Sequence, residues 1–321
     1  MPSFPSLALC IPAFNAESHL PRLLASARNQ SIPFDEIWVY DDCSTDRTSE
    51  VAKEYDARVV RGEQNAGCST GKNKLAALTN CEWIHFHDAD DELSPNFVEA
   101  ARAWMTRPSP PDVVLFGYEY RDFQTGQLLA TVTFNHDQLI RDPVAYSLST
   151  KIVSICGIYN RVSFLRAGGY DLDPEVLYNE DEAMHCRLAR AGLTFAADPA
   201  VTVINYRMTE SMSQSNQVKC AKARYHVLRK AAESLNGRYS AEIAVKLWPL
   251  AGVCGTYLDW ETADAVVDLA VRLRGRVPPT GNLLFRALCL LDPHTAVRIR
   301  ERWIRAVKPR LRSNRHRMQT V

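Results

Sequence analysis

The chain has 321 residues, 46% of them hydrophobic, and a formal net charge of +1, so it can bury one large core or one core with a sizeable appendage. Its nine cysteines form no CxxC pair and their total is odd, which argues against a disulfide framework or a zinc ribbon and fits a reducing cytosol. No uninterrupted apolar run reaches the roughly 18 residues of a spanning helix, and the first apolar stretch has no basic residue before it, so it reads as a strand and not a signal peptide.

Residues 7–11 are a compact apolar run ended by Pro12, as expected of a buried parallel strand, and 17–29 follow with helical spacing at Leu20, Leu23, Leu24 and Ala27. A second strand over 36–40 runs into Asp41-Asp42. Ser44, Thr45 and Asp46 then cap a helix to about Tyr55, and 57–60 make a third strand. A glycine-containing loop over 65–71, a helix over 72–78 and a strand over 82–87 lead to the tetrad Asp88-Ala89-Asp90-Asp91. Ser94-Pro95 opens a further helix, with Ser as cap. This alternation predicts an α/β fold with right-handed crossovers and a mostly parallel, Rossmann-like sheet flanked by helices.

After the proline-rich break at 108–111, residues 113–120 and 128–134 read as a hairpin, an antiparallel addition to that sheet, and 201–206 as a last strand. From about Asn216 strand patterns vanish. Helices are expected near 218–235, 241–258, 262–273, 283–291 and 296–307. The division is placed near residue 210: an α/β domain over 1–210 and a helical C-terminal region with a basic tail over 211–321. The tail is nine Lys or Arg against the single acid Glu301 between Arg298 and Arg317.

Acids placed just past two strands of an open sheet converge on the crevice at the strands' carboxyl ends. Three carboxylates in four residues repel one another, and a divalent cation with bound phosphates would relieve this, since Mg²⁺ and Mn²⁺ take hard oxygen ligands. His85 and His87 alternate onto one strand face and with Cys81 could be drawn as a zinc site. Packed, hydrogen-bonded histidines are the preferred reading, because no fourth ligand is at hand.

The segments LCIPAFNAE (9–17), VYDDCSTDRT (39–48), QNAGCSTGKN (64–73), HDADDEL (87–93), and GGYD with NEDEAMHCRLARAG (168–192) occur in one order over the first two hundred residues. In that order the chain resembles the inverting glycosyltransferases of family 2, which have the GT-A fold. The resemblance implies that Pro12, Phe14, Asn15 and Glu17 form the floor under a nucleotide base and ribose. It also implies that Asp41 or Asp42 accepts a base N–H, which an ionised carboxylate can only accept. Cys43 stands where the family usually has Gly, making a positive φ more costly there. Asn65, Gly67 and Lys72 would approach the diphosphate, as would Arg207. Asp88 and Asp90 would hold Mn²⁺ or Mg²⁺ and the ribose, with Asp91 a further ligand or supporting acid. The family often adds a histidine ligand after the last core strand; Tyr206 to Glu210 has none, which leaves Glu210.

Asp181 matches the family's catalytic base. The implied activity is a metal-dependent, inverting transfer of a sugar from a nucleotide sugar, UDP-linked in the favoured reading, to a hydroxyl on a glycan or lipid-linked acceptor. The setting would be cell-surface glycan assembly in the cytoplasm or peripherally at the inner membrane face, with the basic tail meeting anionic lipid and not nucleic acid. A non-catalytic nucleotide-sugar-binding or scaffold protein of the same fold is the alternative.

Overall fold

The computed structural model describes residues 4–207 and 216–313. The chain divides into two compact units. One comprises Met1–Ser147, Lys151–Leu172 and Glu180–Met208; the other Leu148–Thr150, Asp173–Asn179 and Thr209–Val321. The two short segments in the second unit interrupt the first, an arrangement hydropathy does not announce. Asp173 pairs with Lys230, and Glu175 with His226 at 3.4 Å and Arg229 at 3.5 Å, so side chains fasten segment 173–179 within the helical unit.

The first unit opens as β1 (Leu7–Ala13), α1 (Leu20–Arg28), β2 (Glu36–Asp41), α2 (Thr48–Glu54), β3 (Arg58–Arg61), α3 (Cys68–Leu78) and β4 (Trp83–Phe86). It continues with β5 (Glu92–Leu93), α4 (Phe97–Met105), β6 (Val113–Asp122), β7 (Leu128–Val132), α5 (His136–Arg141) and α6 (Pro143–Ser149). Then come β8 (Gly157–Asn160), α7 (Arg161–Arg166), α8 (Glu180–Arg190) and β9 (Phe195–Arg207). All nine strands join one sheet in the order β3-β2-β1-β4-β8-β6-β9-β5, with β7 added on β6. The β3-β2-β1-β4 half is parallel, as βαβ crossovers require. β8 then runs antiparallel to both β4 and β6, and β7 to β6, which makes the sheet mixed; β6 and β9 are parallel again. Leu7 to Ile11 are wholly buried, as befits a strand covered on both faces.

Three local expectations shift. Pro12 does not end β1: it stays in register with Tyr40 of β2, and the β4 ladder stops at Cys10, so the proline lies beyond the second neighbour. α3 begins at Cys68, four residues earlier than expected, with Gly67 at φ 84° as its N-cap. α4 begins at Phe97 with Asn96 before it, because Ser94 is tied elsewhere: its N–H donates to Thr202 O (2.9 Å) and its carbonyl accepts Gln30 Nε2 (2.8 Å).

α3 lies close on the sheet because Gly71 has no side chain. A Cβ there would sit 2.7 Å from the Tyr40 ring and 3.3 Å from Pro12. Gly71→Ala is therefore expected to destabilise the protein by about 1–3 kcal/mol through overpacking, read as a lower urea midpoint.

The second unit is helical: α9 (Gln217–Ser234), α10 (Ser240–Thr256), α11 (Trp260–Arg274), α12 (Leu283–Leu291), α13 (Pro293–Val307) and α14 (Arg310–Ser313). Its core includes Ile243, Ala244, Leu247 and Ala251 of α10 with Val266, Val267 and Ala270 of α11.

Candidate active site

The parallel half of the sheet brings the loops after β1, β2 and β4 to one edge. Past β1, Phe14 and Asn15 are exposed while Pro12 is buried. Asn15 turns at φ 48°, its N–H donates to Ser44 Oγ (2.9 Å) and its Oδ1 accepts the Thr45 N–H (2.9 Å). Glu17 Oε2 accepts the Arg47 N–H at 2.9 Å. Asn15 and Glu17 thus stitch the β1 loop to the β2 loop, leaving the exposed Phe14 ring as the apolar face. Cys43 adopts φ 66° despite its side chain, and its N–H donates to Asp41 O at 2.8 Å. A cysteine in place of the family's glycine therefore keeps the turn, at a strain of about 1–2 kcal/mol.

The two acids after β2 are both engaged within the protein. Asp41 is fully buried, its carboxylate accepting Ser44 N–H at 2.8 Å, the Ser49 hydroxyl, and Arg61 Nη1 at 2.7 Å. Burial alone would raise its pKa; the Ser44 and Ser49 hydrogen bonds and the Arg61 charge outweigh it and hold the carboxyl below its ordinary value. Asp42, also buried, accepts Ala66 N–H (2.9 Å) on one oxygen and Gly67 N–H (2.7 Å) on the other. Both anchor loops, Asp42 by fixing the segment that carries the exposed Asn65 and the Gly67 cap.

The start of α3 ties the distant motifs together. Lys72, expected to meet a diphosphate, is instead buried, its side chain 3% exposed, with Nζ 3.1 Å from Asp88 Oδ1. The same nitrogen donates to Ser154 Oγ at 3.0 Å and lies 4.0 Å from Asp181 Oδ1. One cation thus stands between the acid after β4 and the acid at the start of α8. The adjacent Asn73 reads the backbone of Tyr170, accepting its N–H (2.9 Å) and donating to its carbonyl (3.1 Å). That places the Tyr170 hydroxyl 3.3 Å from Asp181 Oδ1. Gly169, at φ 58°, permits this approach, since a Cβ would meet Asn73 Oδ1 at 2.4 Å.

Asp181 is neither sealed nor in bulk solvent; its side chain is 25% exposed. Its Oδ2 accepts the Ser154 N–H at 3.1 Å. Burial pushes its pKa up, but Lys72, His185 and the Ser154 bonds overcome that and leave it below 3.8, so it is an anion at neutral pH. Its neighbour Glu180 is pushed above its ordinary value by burial and by the Asp181 charge.

After β4, Asp88 is 42% exposed and Asp90 is half-buried. Burial and then the Asp88 charge raise the Asp90 pKa above its ordinary value. Asp91 is buried, with Tyr206 N–H (2.8 Å) and Asn205 Nδ2 (2.7 Å) each on one of its oxygens, so it fastens β9. Among the described residues no group of three or more His, Cys, Asp or Glu converges as a metal cage. Two carboxylates at a partly open edge still suit Mn²⁺ or Mg²⁺, which are commonly held by one or two carboxylates with waters and substrate phosphates.

His85 of β4 and His87 just after it belong to the core. His85 Nδ1 bonds Gly157 O (2.8 Å), His85 Nε2 bonds His87 Nδ1 (2.9 Å), and burial lowers the His85 pKa to about 3. Arg207 lies over the Tyr120 ring, 4.0 Å from its centroid. Glu210 falls outside the described residues. Sequence reasoning missed Ser154, in a short 3-10 turn with no pattern of its own, and the Tyr170 hydroxyl, although GGYD marked its segment.

Residues 8–165 match the sequence family described as "Glycosyl transferase family 2". TuaG of Bacillus subtilis (strain 168), named for teichuronic acid biosynthesis, is 24% identical over 231 residues, covering 70% of this chain and 88% of that protein. Chondroitin synthase of Escherichia coli is 33% identical over 99 residues, 30% of this chain and 14% of that enzyme. In shape, residues 1–349 of S. aureus TarS in complex with UDP-GlcNAc superpose with a TM-score of 0.69 at 18% identity, covering 94% of this chain and 92% of the other. The mannosyltransferase PcManGT of Pyrobaculum calidifontis, in complex with GDP-Man and Mn²⁺, gives 0.59 at 16% identity, covering 99% and 86%. At such identities these two establish the GT-A-like fold alone.

Proposed function

Because this chain belongs to glycosyl transferase family 2, we propose that it is a metal-dependent, inverting glycosyltransferase moving a sugar from a UDP-linked donor to a hydroxyl of a glycan or lipid-linked acceptor at a membrane face. The observation carrying this reading is the buried Lys72 ammonium shared by Asp88 and Asp181, which draws the donor-side and acceptor-side acids around one spot. Asp181 takes the acceptor proton as the hydroxyl oxygen attacks the anomeric carbon. The bond from that carbon to the diphosphate oxygen breaks, and its electron pair leaves with the nucleoside diphosphate. Lys72, Tyr170 and Ser154 hold the Asp181 carboxylate in place and ionised.

Asp90 and Asp88 would hold Mn²⁺ or Mg²⁺, which when bound supplies positive charge to the departing diphosphate. Phe14 offers the nucleoside an apolar face. A UDP-linked donor is the favoured reading, and UDP-GlcNAc is the ligand that the TarS neighbour holds.

A thermal-shift series tests this reading, since a ligand that binds only the folded form raises Tm. UDP with Mn²⁺ is expected to stabilise the wild type more than UDP alone or GDP with Mn²⁺. Asp90→Ala should abolish both the Mn²⁺-dependent increment and Mn²⁺-dependent donor hydrolysis. A UDP shift insensitive to Mn²⁺ and to Asp90 would remove the metal; binding without turnover of any donor or acceptor would favour the non-catalytic alternative.

A further inference from the structure

α12 is an unusual helix for the outside of a protein. Its nine residues, Leu-Leu-Phe-Arg-Ala-Leu-Cys-Leu-Leu, contain no acid, and of them only Cys289 is buried. Leu283 is 82% exposed and Leu291 78%, with Leu284, Ala287 and Leu290 also exposed. At 3.6 residues per turn these five fall within an arc of about 120°, a continuous apolar face turned to solvent. The next helix repeats the motif: Ile299, Trp303 and Val307 of α13, spaced four apart, are all exposed. Isolated exposed leucines need no explanation, but two apolar stripes on consecutive helices mark a surface that something covers.

The charges beside the stripes identify the occupant. Between Leu283 and Arg310 there are seven Lys or Arg against two acids, Asp292 and Glu301. Glu301 is already held by Arg305 (3.0 Å) and Arg312 (2.8 Å), and Asp292 caps α13 by accepting the His294 and Thr295 N–H groups. Arg286, Arg300, Arg302 and Lys308 make no ion pair among the described residues. An apolar face fringed by unpaired cations complements an anionic bilayer. A second copy of this chain would bring the same cations and repel. No described helix is long and apolar enough to cross a membrane, so the fit is to its surface, where Trp303 suits the headgroup region.

We propose that the α12 leucine face, with the Ile299-Trp303-Val307 stripe of α13, is a docking surface for an anionic phospholipid bilayer. This places the contact on folded helices and not chiefly on the basic tail, whose last residues, 314–321, lie outside the described ones. It rests on the reading above for its purpose, because a lipid-linked or surface acceptor is met at the bilayer.

Flotation of the full chain with phosphatidylcholine vesicles, with and without phosphatidylglycerol, tests it. The wild type should float only with phosphatidylglycerol, and less so as salt rises. The double variant Leu284→Glu with Leu291→Glu should remain with the soluble fraction. Arg300→Gln with Arg302→Gln should bind about 25-fold more weakly, each lost cation weakening surface attachment about fivefold. All these positions are exposed, so both variants should keep wild-type circular dichroism and vesicle-free donor hydrolysis. Wild-type binding by either variant, binding independent of phosphatidylglycerol, or a concentration-dependent dimer that Leu284→Glu dissolves would overturn the proposal. Loss of donor hydrolysis in the wild type would count against the enzymatic reading and leave this surface standing.

Discussion

Replacing Asp181 by Asn is expected to lower transfer by about 10²–10⁴-fold while changing UDP affinity little. The asymmetry follows from position. Asp181 sits at the start of α8 with one oxygen on the Ser154 N–H and the other beside Lys72 and the Tyr170 hydroxyl. An amide of the same shape keeps much of that packing but has no lone pair basic enough to take a hydroxyl proton. Turnover rates with UDP-sugar, compared with UDP titrations of both proteins, separate the two effects. Equal losses in turnover and in UDP binding would mean that Asp181 supports the donor site and is not the base.

The second large effect belongs to Lys72. Lys72→Met leaves Asp88 and Asp181 without their shared cation. Removing one partner of a fully buried pair costs about 3–5 kcal/mol; because both carboxylates keep some solvent, about 2–3 kcal/mol is expected here. Chemical denaturation reads this loss. The pH dependence gives a sharper signature. Asp181 is held below 3.8 in the folded protein, so its contribution to stability is fully present above that value and is lost as pH falls through the lowered folded pKa. Without Lys72, burial dominates and the Asp181 pKa rises. The acid limb of kcat/KM should then move toward neutral pH in Lys72→Met relative to the wild type. An unmoved acid limb would show that Lys72 does not set the charge of the base.

Much of the fold was legible because local rules and tertiary context agree. The β1-to-β4 alternation carries its period in Leu20, Leu23, Leu24 and Ala27 and in buried runs such as 7–11, and the C-terminal helices are plain in their apolar spacing. The second half of the sheet was harder. β8 is four residues long and β5 only two, too short to show a period, and what recruits them is pairing with β4, β6 and β9.

The acids show the same boundary. Carboxylates past strand ends carry a physical meaning, which marked Asp41, Asp42, Asp88, Asp90 and Asp91, whereas Asp181 was marked by the family resemblance alone. Sequence order could not tell which ones face a ligand. Asp41 is spent on the nearby Ser44 and Ser49 and on Arg61 of β3, and Asp91 on Asn205 and Tyr206 of β9, pairings that only the fold decides. Lys72 reads as a phosphate-binding cation because it ends a glycine-containing loop that could bring backbone N–H groups and a positive charge to a diphosphate. Only the packed structure shows that Ser154 and two acids enclose it.

The stereochemistry of the first product tests the central claim most directly. With an α-linked UDP-sugar and Mn²⁺, proton NMR of the sugar released to water before mutarotation should show the β-anomer if, as proposed, attack comes from the face that Asp181 serves, opposite the departing diphosphate. The α-anomer as first product would contradict a single displacement with Asp181 as its base.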